Sequence, residues 1–300
     1  MMHPKTARRV ALIDIGNTRM KIGWADLAGA SRNDLSLALE HQDANQLVDW
    51  FHQQGIRPDM AVGVNVAGGH KARAVESLFL DTFELPIHWL GSQPHAAGVL
   101  NRYTDPAQLG VDRWMAMIGL SQHPPDATAP LLLASFGTAT TLDTLCPAGM
   151  AGHDADRPGT LPVPAGNSDV TAHNAIHWVY EGGLIFPGPG LMRSSLANNT
   201  AQLPEANGTT TAFPTDTHRA IISGIAAAQA GAVMRQWLAG FGRYGVAPRV
   251  YGTGGGWPAV QDEVQSLLAT MHQQHGLPQQ PAQYLPSPIL DGLTRMAADL

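Results

Sequence analysis

Two segments of the chain follow one plan: VALIDIGNTRMKIGW from Val10 and LLLASFGTATTLDTL from Leu131 each set a short apolar run before a Gly-centred polar turn and a returning β-prone run. In the first, the apolar residues Val10 to Ile15 break at Gly16-Asn17-Thr18-Arg19 and resume at Met20 to Trp24, which is a hairpin signature. Aligned on the turn, SFGTA repeats the form of DIGNT. A chain with two such openings is expected to be built as two α/β halves, each started by a strand, a turn and a strand. A third glycine turn, Thr253-Gly254-Gly255-Gly256, follows the short strand-like run Arg249 to Gly252.

The intervening segments carry the alternation expected of α/β layers. Ala44 to Gln54 has apolar residues at helical spacing and Gly55 as a stop; Met60 to Val66 reads as a buried strand, His70 to Leu80 as a helix and Leu85 to Leu90 as a strand. Gly110 to Leu120 (GVDRWMAMIGL) reads as a helix with Asp112 in its first turn. HPPDATAP, from His123 to Pro130, is the best linker in the chain, so the domains are placed at 1–122 and 123–300. Pro147 to Ala172 is polar, rich in Pro and Gly and without period, which suggests a long inserted loop. Thr217 to Leu238 reads as a helix rich in Ala and Gly, built for close packing, and Ile289 to Leu300 as an amphipathic helix.

Composition narrows the function classes. Three hundred residues suit two domains of ordinary size. A formal net charge of -6 with no run of Lys or Arg argues against nucleic acid as the main partner. Cys146 is the only cysteine, so no internal disulfide or zinc knuckle can form, and a reducing cytoplasm is expected. Lys5, Arg8 and Arg9 start the chain like a signal peptide, but Asp14 interrupts the apolar run that follows, and no stretch approaches the roughly 20 apolar residues of a membrane span.

Phosphate groups need close backbone N–H groups, hydroxyl or amide donors, a cation and an acid that organises a metal ion or its waters. The stretch Asp14-Ile15-Gly16-Asn17-Thr18-Arg19-Met20-Lys21 supplies all of these. Gly137 and Thr138, with Thr140 and Thr141 nearby, form a second donor-rich turn, and Gly254 to Gly256 suits close approach to an adenosine moiety. His173 and His177 are spaced to share a helix face, but without a third ligand they make a weak metal candidate. Trp114 and Trp178 read as core or interface residues, and Cys146 as a small buried apolar one.

The ordered series DIGNTRMK, GVDRW, SFGTATTLD, GGLIFPGPGLM, TDTHRAIISG and YGTGGG resembles the motif set of the type III pantothenate kinases over residues 12 to 256. The resemblance implies the acetate and sugar kinase/Hsp70/actin superfamily, an α/β fold of two ribonuclease-H-like (actin-like ATPase) domains closing on ATP in a cleft between them. It implies transfer of a phosphoryl group from ATP to pantothenate, giving 4'-phosphopantothenate, the first step towards coenzyme A. It further implies that Asp14, Ile15, Gly16, Asn17, Thr18, Arg19, Met20 and Lys21 bind ATP phosphates, with Asp14 holding Mg2+ directly or through water. Thr138 would contact the nucleotide from the second half. Tyr103, Gly110, Val111, Asp112, Arg113 and Thr217 would line the pantothenate pocket, with Asp112 the general base and Arg113 a partner for the substrate carboxylate. A homodimer is expected from the same resemblance.

One residue departs from the pattern. Many members of the family carry Asp two residues before the second glycine turn, where it binds a monovalent cation; this chain has Ser135. The resemblance therefore leaves the need for K+ or NH4+ open at that position. Two alternatives keep the fold and change the function: a kinase of another small hydroxylated acceptor, or a catalytically inactive nucleotide-binding regulator.

Overall fold

A computed structural model describes residues 8–29, 31–124, 127–150 and 176–300. The chain divides into two compact units: the first comprises Met1–Pro125, Asp156–Trp178 and Ser287–Leu300, and the second Asp126–Ala155 and Val179–Pro286. The first junction lies close to the linker read from the sequence. The last segment, however, joins the first unit rather than the second, so 123–300 is not one continuous domain.

The first unit holds β1 (Arg9–Ile15), β2 (Arg19–Asp26), β3 (Ser31–Glu40), α1 (Gln46–Gln53), β4 (Met60–Asn65), α2 (Gly69–Phe83) and β5 (Ile87–Trp89). Its sheet has the order β3-β2-β1-β4-β5. The strands β1, β2 and β3 run antiparallel in a meander, and β4 and β5 join β1 in parallel through helical crossovers. Strands β1 and β4 are apolar almost throughout because helices cover them: Ile13, Ile15, Ala61, Phe51 and Phe79 share one core. A small hairpin, β6 (His95–Ala96) and β7 (Val99–Asn101), leads to α3 (Val111–Leu120).

The second unit repeats the plan with β8 (Leu131–Phe136), β9 (Ala139–Pro147), β10 (Trp178–Pro187), α4 (Pro189–Asn199), α5 (Thr217–Tyr244), β11 (Arg249–Thr253), α6 (Gln261–Gln274) and β12 (Gln283–Tyr284). These strands lie in the order β10-β9-β8-β11-β12, the same sequence of partners as β3-β2-β1-β4-β5. The pair β8 and β9 is antiparallel, and β11 is parallel to both β8 and β12. Phe136, Val233, Trp237 and Trp257 are central to its core. The duplication seen in two turns thus extends to a run of five strands in each sheet.

The chain ends in α7 (Pro288–Ala297), which packs against α3 within the first unit. Gly119 and Gly292 make the crossing possible: a Cβ at Gly119 would overlap the Pro288 carbonyl oxygen and lie 2.9 Å from the Gly292 nitrogen. Both obstacles are backbone, which cannot rotate away. Gly119→Ala is therefore expected to cost about 3 kcal/mol by overpacking, seen as a lower thermal midpoint; an unchanged midpoint would contradict this packing. Asp291 anchors the same helix, accepting from Arg32 Nε at 2.8 Å and lying 3.1 Å from His123 Nε2. Burial works to raise the Asp291 carboxyl, but the hydrogen bonds from His123 and Arg32 outweigh it and hold the group below its ordinary range.

Candidate active site

The first turn is closed by Gly16 N–H donating to the Arg19 carbonyl at 3.0 Å, between the paired residues Ile15 and Met20. Asn17, Thr18 and Arg19 are exposed at its tip, whereas Ile15 and Met20 point into the core. Two side chains from distant segments hold the turn's carbonyls. His41 Nε2 lies 2.9 Å from the Gly16 oxygen, and Lys71 Nζ donates to the Asn17 oxygen at 2.9 Å. Neither was identified from the sequence, because each acts from a segment more than twenty residues away that carries no motif of its own.

Asp14 sits on β1 directly opposite Lys21 on β2. Burial, then the negative charge of Asp112, raise the Asp14 carboxyl to about 7, and Lys21 only partly offsets them. Burial likewise lowers the Lys21 ammonium, against the pull of Asp14. Lys21 Nζ donates to Ser287 Oγ at 3.1 Å, which ties the end of the chain to the same place. Asp14, Lys21 and Asp112 thus form one electrostatic group within the first unit.

Asp112 belongs to the first turn of α3, where the helix N-terminus favours an anion. Its Oδ1 accepts the Arg113 N–H at 2.8 Å and lies 2.6 Å from where a Cβ on Gly110 would sit, so the carboxylate lies folded over Gly110 and a side chain there would displace it. Val111 beside it is partly buried. Arg113 is not the surface residue that its charge alone would suggest: it is 7% exposed, donates from Nη1 to the Tyr103 hydroxyl at 2.8 Å and lies 5.8 Å from the centre of that ring. Tyr103 is in turn held through its backbone N–H by the Asn101 side chain at 3.0 Å. The sequence-predicted residues Tyr103, Gly110, Val111, Asp112 and Arg113 are therefore brought together by α3 and the segment after β7. Tyr103→Phe is expected to remove the hydrogen bond to buried Arg113, costing about 1–3 kcal/mol, measurable by chemical denaturation.

In the second unit the other two glycine turns meet at the end of β8. Gly137 N–H donates to the Ala139 carbonyl at 3.0 Å, the Thr138 carbonyl accepts from Gly188 at 2.9 Å, and the Phe136 carbonyl accepts from Gly256 at 2.8 Å. Thr138 is exposed on this assembly. Gly188, which precedes α4, packs directly on this turn, where a Cβ would collide with the Gly137 and Thr138 carbonyls, a closeness that glycine spacing alone did not single out. Gln229 of α5 braces the region, accepting from Thr140 Oγ1 at 2.6 Å and donating to the Pro187 carbonyl at 2.9 Å. Ser135 stands in register between Thr141 and Thr253, so three hydroxyl side chains cross adjacent strands. Thr217 is the first residue of α5, exposed, next to the capping Asp216, which accepts the Arg219 N–H at 2.9 Å. It belongs to the second unit.

A family model for type III pantothenate kinases matches residues 10–152 and 170–239. The chain belongs to this family. Among its relatives, the type III pantothenate kinase of Bordetella petrii is 44% identical over 289 residues, covering 96% of this chain and 97% of that protein. That of Bordetella pertussis is 45% identical over 291 residues, with the same coverage, and that of Leptothrix cholodnii is 32% identical over 294 residues, covering 96% and 95%. Among solved structures, a putative 2-dehydro-3-deoxygalactonokinase from Sinorhizobium meliloti superposes with a TM-score of 0.51 at 14% identity, covering 96% of this chain and 97% of that one. That likeness is one of fold. As type III pantothenate kinase motifs, DIGNTRMK and GVDRW lie on the first unit, and SFGTATTLD and YGTGGG meet on the second.

Among the described residues no group of three or more His, Cys, Asp or Glu is placed to hold a metal ion. His173 and most of the 147–172 loop lie outside the described residues. Trp114 and Cys146 are buried, and Trp178 is 6% exposed. Among the described residues no helix is long and apolar enough to cross a membrane.

Proposed function

We propose that this chain catalyses the ATP-dependent phosphorylation of pantothenate to 4'-phosphopantothenate, the first step of coenzyme A biosynthesis, and that the site residues act as follows. The pantothenate primary hydroxyl forms a bond to the γ-phosphorus as the bond to the β-bridging oxygen breaks, and the hydroxyl proton passes to the Asp112 carboxylate. Asp112 is a weak base, which suffices when the transition state is loose and orientation of the hydroxyl matters more than early proton removal. Tyr103 and Arg113 orient the substrate, Arg113 by charge towards its carboxylate. Asp14, Ile15, Gly16, Asn17, Thr18, Arg19, Met20 and Lys21 cradle the ATP phosphates. Thr138 contacts the nucleotide, and Thr217 the pantothenate.

Mg2+ fits the donor set: a carboxylate raised to about 7 by burial and by a second carboxylate is short of positive charge, and a hard cation relieves that shortage. Asp14 would hold the ion directly or through water, and the ion would neutralise charge developing on the phosphates. The observation that carries the reading is the coupling of Asp14 and Asp112 in one group with Lys21, in a chain of this family. ADP release measured with ATP and a panel of acceptors tests it: turnover is expected with pantothenate and not with sugars or other hydroxy acids. Faster turnover on another acceptor, or nucleotide binding with no turnover on any, would replace it.

The cation requirement follows from Ser135. A hydroxyl flanked by Thr141 and Thr253 carries no charge, so we expect nearly equal turnover in potassium, ammonium and sodium buffers. A strict demand for potassium would oppose this. A cytoplasmic homodimer is part of the same proposal; the exposed small residues Ala227, Ala228 and Gly231 of α5 support close packing of a second copy, and light scattering on the purified protein tests it.

A further inference from the structure

Two side chains outside the motif series close on the first glycine turn, both from within the first unit. His41, just after β3, places Nε2 2.9 Å from the Gly16 carbonyl oxygen and 3.2 Å from that of Asn17. Lys71, in the first turn of α2, donates from Nζ to the same Asn17 oxygen at 2.9 Å. Carbonyls only accept, so His41 Nε2 carries a proton and shares it between the two. The other ring nitrogen, Nδ1, is buried and has no hydrogen-bond partner. All the hydrogen bonding of this side chain is therefore spent on the turn. Lys71 behaves alike: among the described residues its ammonium meets the Asn17 oxygen and no carboxylate.

The consequence lies on the opposite edge of the turn. Among the described residues no peptide is cis, and in a planar trans peptide the N–H points away from the carbonyl, so holding one fixes the other. The Gly16 carbonyl shares its peptide with the Asn17 N–H, and the Asn17 carbonyl shares its own with the Thr18 N–H. A donor placed on a carbonyl also polarises its peptide and strengthens the N–H of that peptide. Charge acts in the same sense. Lys21 is partly offset by Asp14, whereas the ammonium of Lys71 sits against a carbonyl and keeps its full positive charge beside the turn.

We infer that His41 and Lys71 are positioning residues for the nucleotide. They draw the turn's carbonyls to one side, so that the edge bearing the Asn17 N–H is presented to the ATP phosphates, and Lys71 adds an uncancelled positive charge there. This rests on the phosphate-binding role proposed for the turn. A purely structural brace would need a donor at position 71 but no cation.

The test measures the Kd of magnesium AMP-PNP, an ATP analogue that is not hydrolysed, by calorimetry on the full chain, with steady-state kinetics beside it. Lys71→Met removes the charge and should weaken AMP-PNP about tenfold. The KM for ATP should rise in step, with kcat and the KM for pantothenate changed by about twofold at most, as loss of uniform binding requires. Lys71→Arg restores a cationic donor and should recover most of the affinity. His41→Phe, which has no donor, should weaken AMP-PNP about fivefold, and His41→Gln, whose amide can replace the Nε2 proton, should recover it. Should Lys71→Met fail to fold, Lys71→Gln, polar and uncharged, takes its place. Unchanged AMP-PNP affinity in Lys71→Met and His41→Phe, equal losses for ATP and pantothenate, or no recovery in Lys71→Arg would overturn the inference. A parent protein that binds AMP-PNP but does not turn over pantothenate would overturn the proposed activity alone, and the affinity series would still decide on His41 and Lys71. A parent that does not bind AMP-PNP would overturn both.

Discussion

Asp112→Asn is expected to lower kcat by about a thousandfold, within the range for loss of a general base, while the KM for ATP changes little. That loss corresponds to about 4 kcal/mol of transition-state stabilisation. The substitution preserves shape: asparagine can still accept the Arg113 N–H through its side-chain oxygen and still fits over Gly110. What disappears is the proposed proton acceptor and one negative charge. The charge has a second readout, because Asp112 is one of the two causes that raise Asp14. In the variant, the Asp14 carboxyl should therefore titrate below about 7, measurable by carbon NMR of labelled aspartate. An unchanged kcat with a lowered Asp14 titration would remove Asp112 from the proton-transfer role while keeping its place beside Asp14. An unchanged Asp14 titration would dispute the placement itself.

Much of this arrangement was legible because its signals are local. The hairpins β1–β2 and β8–β9 are apolar runs broken by a glycine turn, and both form within a few residues of the expected limits. The helix from Gly110 to Leu120 is α3 with only Gly110 left outside as its cap. Other elements lacked such signals. Strand β3 alternates only at Leu35, Leu37 and Leu39 amid polar residues, and α6 reads QDEVQSLLATMHQQ with few apolar positions; tertiary packing decides both. Helix α7 was expected as a helix, but no local pattern states which sheet a terminal helix will cover. Its return to the first unit depends on two glycines, 119 and 292, that meet only in space.

The site divides in the same way. Residues adjacent in sequence, such as Asp112 and Arg113, were readable, and what Arg113 touches was not: its Nη1 meets Tyr103, ten positions earlier. The turn tips at Gly16 and Gly137 announced themselves as glycines, whereas His41 and Lys71, which hold the first turn from outside, carry no motif, and the motif GGLIFPGPGLM that contains Gly188 does not state that its N–H meets the Thr138 carbonyl. Side chains that bind loop carbonyls are chosen by distance in the folded chain, and residue type alone says little about that.

Asp14→Asn carries the second large effect, and it runs in opposite directions for activity and stability. In the folded protein the Asp14 carboxyl takes its proton at about 7, against 3.8 for the ordinary group. At low pH both folded and unfolded chains hold that proton, and the group neither helps nor harms. As pH rises from about 4 to about 7 the unfolded chain releases the proton while the folded chain retains it, so stability falls across that window and levels off above it. Asparagine resembles the protonated carboxyl and has no such loss. The variant should therefore match the parent in thermal midpoint near pH 4, exceed it increasingly towards pH 7, and keep a constant advantage above, all in the absence of nucleotide and Mg2+. The same substitution removes the negative charge proposed to meet Mg2+ at the phosphates, and kcat/KM for ATP should fall by about two orders of magnitude or more. Thermal melts at several pH values, with kinetics at pH 8, check both halves. A midpoint difference independent of pH would mean that Asp14 is not the strained carboxylate described, whatever its part in turnover. Retained kcat/KM with the expected melts would leave the strain in place and take the phosphate-binding role from Asp14. A more stable but inactive variant would identify the unligated site as one that holds two carboxylates together at a cost in stability, relieved when cation and nucleotide arrive.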